Sequence, residues 1–490
     1  MHAHKRQKTC TAVGFLLCAG RSDAERVREA ASRGRGNSER RRGIIRDHKF
    51  VQNTYNGVMN YKVTGGKQLR GEVRTNISKN ATVALLAASL LNRGTTTIKH
   101  VPKIEEVNRL IEVLKSIGAE VEWASGDVIV HPPKKLTPEK MDKEAAGKTR
   151  STVLFTAPLA HLFESFELPL PGGCNLGGRT MMPHIQALGA LGVQIEKGSE
   201  GMYKVSSYEK TAGEVAMYES SDTGTESVLM AAAKIPGKTV IKYASANYMV
   251  QDLCVFLELC GVKIEGIGTS TLVVHGVDDI DRNVEVYPSE DPIESMFFIS
   301  LAATTQSEIT IKRCPFDFLE LELVTLGQMG QKYEYGPKCT AENGRTVLAD
   351  VTMLPSKLTA PPEKIAPRPY PGINIDNLPF FVPVATQAEG RTLIHDWVYE
   401  NRAIYYMEMK KLGAKMLLAD PHRVYVDGPT KLHPADIEAP PALRPATILL
   451  IGMLAAEGES TLFNVYPINR GYERLHERLT ELGASVEAVE

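Results

Sequence analysis

No apolar run in this 490-residue chain approaches the roughly 18 residues that a membrane-spanning helix needs. Seven cysteines, at positions 10, 18, 174, 254, 260, 314 and 339, form no CxxC pair. So sparse and odd a set in a long chain argues for reduced thiols in a cytosol, not a disulfide scaffold. Charge of one sign is missing too: 57 Lys and Arg against 58 Asp and Glu leave a net charge of −1. No global field therefore draws the chain to nucleic acid or anionic lipid, and an anionic ligand must be held by local clusters. No set of residues in the sequence shows metal-ligand spacing. What is there is ordinary for a globular protein, 43% hydrophobic and 23% charged, in a chain that suits two or three domains better than one core.

Residues 1–58 differ in kind. Within Met1–Phe50, 13 Lys and Arg stand against five Asp and Glu, with little apolar periodicity. The one apolar run, Thr11–Gly20, is short and lacks a small-residue cleavage pattern before the Arg-rich stretch. The segment reads as a basic, disordered extension, with Met59 a candidate start ahead of the strand pattern at Tyr61–Val63.

Beyond it, one unit recurs six times. "LLNRGTTTIKHVPKIEEVNRLIEVLKSIGAEVEW" reads as a helix end, a Gly turn, a β-branched strand, a loop, an amphipathic helix, then Gly-Ala and a second strand. Further copies begin near 157, 231, 301, 385 and 454. The helix-ending glycines are Gly118, Gly192, Gly261, Gly330, Gly413 and Gly483, each where a left-handed carboxyl cap is expected. A small α/β unit cannot bury its sheet and helix faces alone, so six copies divide into two groups of three. Function is expected where copies depart from the pattern.

Four departures carry chemistry. In "VRTNISKNA", Ser78, Lys79 and Asn80 fall at the first turn of an apolar helix, Val83–Leu91, where free N–H groups suit a phosphate; a serine cap beside a solvated lysine is the plainer reading of that segment alone. In "PGGCNLGGRTMMPH", four glycines surround Cys174 and Arg179, a pattern that permits close approach of a ligand, lid movement and a reactive thiol. Arg150, Arg402, Arg444 and Arg470 recur at turns of different copies, and arginine clamps carboxylate and phosphate bidentately. Asp376, in "YPGINIDNLPFF", precedes an apolar helix; it is either an N-cap or, with arginines nearby, an acceptor for a substrate hydroxyl proton.

Together "KNA", "KTRST", "PGGCNLGGR", "YPGINIDNLPFF", "VYENR", "ALRPA" and "INRGYERL…LGA" resemble the UDP-N-acetylglucosamine enolpyruvyl transferases from about Tyr61 to the end. The resemblance implies an α/β (α+β) fold of two domains, each of three βαβαββ units, an inside-out α/β barrel. It implies a discontinuous domain of 59–78 plus 287–490, and a second domain, 79–286, carrying the Cys174 loop. The implied reaction moves the enolpyruvyl group of phosphoenolpyruvate onto the 3-hydroxyl of UDP-N-acetylglucosamine, with no cofactor or metal, in the cytoplasm. Carried over by position, Cys174 is the proton donor and Asp376 the group near the attacking hydroxyl. Lys79, Asn80, Arg179, Arg402, Arg444 and Arg470 hold phosphoenolpyruvate; Asn80, Arg150, Arg179, Thr180, Thr223, Asp376 and Val398 hold the sugar nucleotide.

Departures from the family pattern are Ile77-Ser78 for Gly-Ala, Thr180 for proline, Ala442 for an acidic residue, and Ser220 for a lysine in the diphosphate-facing "YESSDTGTE". They fall on nucleotide contacts and one charge position. Two alternatives follow: an enolpyruvyl transferase for another nucleotide, or a catalytically weak regulator that binds UDP-sugars. Shikimate-type relatives carry Ser after the lysine and lack the Pro-Gly-Gly-Cys loop, so Asn80 and Cys174 count against them.

Overall fold

The computed structural model describes residues 59–131, 135–170, 172 and 180–490. Its sheets repeat one plan. A strand leads through a helix to a hairpin, and the hairpin's second strand pairs beside the first. Thr96–Ile98, Asp127–His131 and Glu120–Ala124 adjoin in that order. So do Ser165–Pro169, Met202–Ser207 and Val193–Lys197, and likewise Gly237–Lys242, Thr271–Gly276 and Lys263–Glu265. The same arrangement holds for Glu308–Pro315, Val347–Leu354 and Lys332–Tyr335, and for Gly390–His395, Arg423–Gly428 and Lys415–Asp420. The sixth copy is closed by the first strand of the described chain: Asn60–Gly65 lies between Gly458–Phe463 and Ser485–Val489. Three sheets thus draw on 60–74 and 308–489, and three on 96–286.

The six helix-ending glycines all have φ between 87° and 104°, the left-handed turn that favours glycine. The helices divide by pattern. Glu105–Ser116 is amphipathic and buries Val107, Leu110, Ile111 and Leu114. Pro292–Thr304 is apolar nearly throughout and buries every residue, and Leu443–Ala455 buries all but its two end residues. Helices apolar on all sides must lie inside, with the sheets outside them.

The two groups of sheets are joined at two chain crossings that run side by side. Ile77 bridges antiparallel to Glu290, Ser78 N–H donates to Ser289 O at 2.8 Å, and Asp291 N–H donates to Asn76 O at 2.8 Å. Asp252, buried on helix Tyr248–Leu259, accepts from Ser289 N–H and Oγ, each at 2.9 Å, and from Nδ2 of Asn343 at 3.2 Å. It therefore ties the crossing to a turn of the other group.

Burial pushes the Asp252 carboxyl up to about 7 despite those donors. The folded chain then holds a proton that the unfolded chain releases near pH 4, so this contribution to stability is present at low pH and lost as pH rises toward 7. The slope of unfolding free energy between pH 4 and 8, followed by chemical denaturation, is expected to be shallower in Asp252→Asn. An unchanged slope would place the titration elsewhere.

Cys254, Cys260 and Cys314 are free thiols, all buried. Among the described residues, no helix is long and apolar enough to cross a membrane.

Candidate active site

Helical starts from both groups of sheets converge on one cavity of about 650 Å³. Lys79–Ala88 begins there, capped by Ser78, whose Oγ accepts from Ala81 N–H at 3.2 Å. The helix thus starts four residues earlier than the apolar run alone suggested, which places Lys79 and Asn80 in its first turn. Asp222–Ala233 opens there under a Ser221 cap, and Leu443–Ala455 starts there from Ala442 with no side-chain cap. Free N–H groups and partial positive charge therefore face the same space.

Lys79, Asn80, Arg150, Thr180, Thr223, Asp376, Val398, Arg402, Arg444 and Arg470 all line this cavity, as do Ser220 and Ala442. Cys174 and Arg179 lie outside the described residues.

Arg402 is 1% exposed. Its Nε and Nη2 donate to the two oxygens of Asp396 at 2.6 and 3.0 Å, and Nη2 also reaches Ile375 O at 2.7 Å. Tyr406 donates its hydroxyl to the same Asp396 at 2.5 Å, and the ring of Tyr399 lies 4.5 Å from the guanidinium. This fork fixes the guanidinium and leaves Nη1 toward Asp376, at 3.5 Å. Arg444 Nη2 approaches the other Asp376 oxygen at 3.3 Å. Among the described residues, Arg402 Nη1 and Arg444 Nε are buried without a hydrogen-bond partner. Such donors are costly to leave unmet, and both guanidinium groups belong to residues that line the cavity.

Asp376 is no helix cap. The short helix after it, Leu378–Phe380, starts from Asn377, and the Asp376 carboxylate turns instead to the two arginines.

Glu106 was not singled out in the sequence. It is 4% exposed and joins the two groups of sheets, accepting from Arg470 Nη2 at 2.7 Å, Ser151 Oγ at 3.1 Å and Thr149 Oγ1. Burial alone would raise its carboxyl, but the charges of Lys79 and Arg470 and the Thr149 hydroxyl overcome that and hold it at about 2. Its signal lies in the helix period, since Glu106 shares a face with the buried Leu110 and Val113. Burial lowers the Lys79 ammonium, with Glu106 and Asp376 opposing and Arg444 and Arg470 assisting. An arriving anion would favour its charged form. His184 is buried between Thr223 Oγ1, at 3.2 Å, and Ser227 Oγ, at 3.1 Å, and burial pushes it down to about 4.

The fold is shared with solved enolpyruvyl transferases. The enolpyruvyl transferase NikO from Streptomyces tendae superimposes with a TM-score of 0.77 at 24% identity, covering 88% of this chain and 99% of that one. An EPSP synthase from Acinetobacter baumannii gives 0.68 at 17% identity, over 89% and 100%. Residues 63–479 match the family of EPSP synthase (3-phosphoshikimate 1-carboxyvinyltransferase). The UDP-N-acetylglucosamine 1-carboxyvinyltransferase of Bradyrhizobium diazoefficiens is 32% identical over 439 residues, 88% of this chain and 98% of the relative. That of Treponema pallidum is 33% identical over 431 residues, 87% and 98%. The chain belongs to this carboxyvinyltransferase family, and within it groups with the UDP-N-acetylglucosamine 1-carboxyvinyltransferases.

Proposed function

We propose that the chain transfers the enolpyruvyl group of phosphoenolpyruvate to the 3-hydroxyl of UDP-N-acetylglucosamine and releases phosphate, in the cytoplasm, as the entry step of peptidoglycan synthesis. The observation that carries this reading is the meeting of Lys79, Arg402, Arg444 and Arg470 with Asp376 in one cavity between the two groups of sheets. The names of relatives about a third identical support the acceptor.

The two groups of sheets act as domains, 59–78 with 287–490 and 79–286, that close on the substrates. The methylene carbon of the enol takes a proton, and the acceptor oxygen bonds to the adjacent carbon while its proton passes to Asp376. The methyl group of that adduct then loses a proton as the C–O bond to phosphate breaks, which restores the double bond. Cys174, on the glycine-rich loop, is the proposed proton donor. Lys79 and the arginines stabilise charge on phosphate and carboxylate throughout. Ordering two substrates in one closed site adds several kcal/mol, up to about 7–11. Asn80, Arg150, Arg179, Thr180, Thr223 and Val398 are assigned to the acceptor.

One observation favours a second acceptor. In the segment of Ser220, where the family resemblance places a lysine, Asp222 also lines the cavity; burial raises its carboxyl, and it accepts from Ser245 Oγ at 2.5 Å and Asn247 Nδ2 at 3.3 Å. A carboxyl group with no lysine beside it suits a nucleotide bearing fewer phosphate charges.

Phosphate release from phosphoenolpyruvate, measured in parallel with UDP-N-acetylglucosamine, UMP and shikimate 3-phosphate, decides between them. Release with UDP-N-acetylglucosamine is expected. Release with UMP alone would select the second acceptor, and UDP-sugar binding without any release would reject catalysis.

A further inference from the structure

Glu322 lies on helix Glu320–Gln328, is 1% exposed, and does not line the cavity. Its Oε1 accepts from Asn374 N–H at 2.9 Å and from Asn377 Nδ2 at 2.8 Å. Those two residues bracket Asp376. The turn between them is closed locally, since Asn374 Oδ1 accepts from Asp376 N–H at 2.8 Å and Asn374 O accepts from Asn377 N–H at 3.0 Å. One buried oxygen therefore grips the Asp376 turn at both ends. The other buried residues of this helix are Leu323, Thr325 and Leu326, with Leu319 buried just before it, so its surroundings are mostly apolar. A carboxyl group there costs free energy that an apolar side chain would not, and its two bonds are what offset that cost.

We propose that Glu322 is a positioning residue. It fixes the turn so that the Asp376 carboxylate stays between Arg402 Nη1 and Arg444 Nη2 and faces the acceptor hydroxyl. The inference rests on the assignment of Asp376 as the group that receives the acceptor's proton. Glu322 itself touches no substrate.

Glu322→Leu fills the volume and removes the acceptor atom, whereas Glu322→Gln keeps an oxygen that can take both N–H bonds. In steady-state phosphate release, E322L is expected to lower kcat by about 10- to 100-fold, the scale of a displaced catalytic group. KM for phosphoenolpyruvate should stay within about threefold, because Lys79 and the arginines are untouched. E322Q should recover most of kcat. In parallel, amide exchange should show lost protection across 374–377 in E322L and retained protection in E322Q. If E322L does not fold, Asn377→Leu removes one of the two bonds from the other side and should lower kcat in the same way. A folded E322L with wild-type kcat, or an E322Q as impaired as E322L, would overturn the proposal. Should the wild-type chain release no phosphate with any acceptor, the functional reading fails, while the exchange experiment still decides whether Glu322 holds the turn.

Discussion

Asp376→Asn is expected to lower kcat by about 10²- to 10⁴-fold, the range for loss of a general base or acid, while KM for phosphoenolpyruvate stays level or falls. The split follows from where the carboxylate sits. Asp376 faces Arg402 Nη1 at 3.5 Å and Arg444 Nη2 at 3.3 Å, so it offsets part of the charge that an anionic substrate would meet. Asparagine keeps the shape but removes that negative charge, leaving both guanidinium groups more available to phosphate and carboxylate. The donor then binds at least as well, while the acceptor hydroxyl loses the group that takes its proton. Initial rates of phosphate release over a range of phosphoenolpyruvate concentrations, with binding measured separately by calorimetry, separate the two effects. A large rise in KM with kcat intact would instead make Asp376 a binding residue.

The six glycines that close the repeated helices were legible because a left-handed cap is a local requirement of the backbone, and all six have positive φ. The placing of Lys79 and Asn80 at a helix start was legible for the same reason, since serine caps and apolar runs are local signals. Glu106 and Glu322 were not. Glu106 sits on the core stripe of an amphipathic helix, and Glu322 on the buried side of a short helix that exposes Leu321 and Val324; in neither case does the local pattern say what compensates the buried charge. The partners come from far along the chain: Arg470 for Glu106, and Asn374 and Asn377 for Glu322. Helix Leu443–Ala455 shows the reverse case. In the sequence Ala442 is a missing charge, and in the fold it leaves that helix start without a side-chain cap at the cavity, beside Arg444. Asp376 marks the limit of local reasoning: before an apolar helix it reads equally as a cap, and only the approach of Arg402 and Arg444 decides otherwise.

Arg402→Ala is expected to do two kinds of damage that a double mutant can separate. The guanidinium balances Asp396, which is fully buried and otherwise held by the Tyr406 hydroxyl. Removing one partner of a buried ion pair leaves an uncompensated charge and typically costs about 3–5 kcal/mol, so a clear fall in the denaturation midpoint should appear. The same residue lines the cavity with Nη1 toward Asp376, and loss of one preorganised donor to a charge-bearing group lowers kcat by about 10²- to 10³-fold. Arg402→Ala/Asp396→Ala removes the stranded carboxylate with its partner. It should regain most of the lost stability and none of the lost kcat, because nothing restores a donor beside Asp376. Lysine at 402 is expected to fail as well, since a point charge cannot bond both oxygens of Asp396 in a planar fork and still offer a donor to the substrate. If the double mutant regained activity along with its midpoint, Arg402 would be reduced to an architectural residue, and anion binding would fall to Lys79, Arg444 and Arg470.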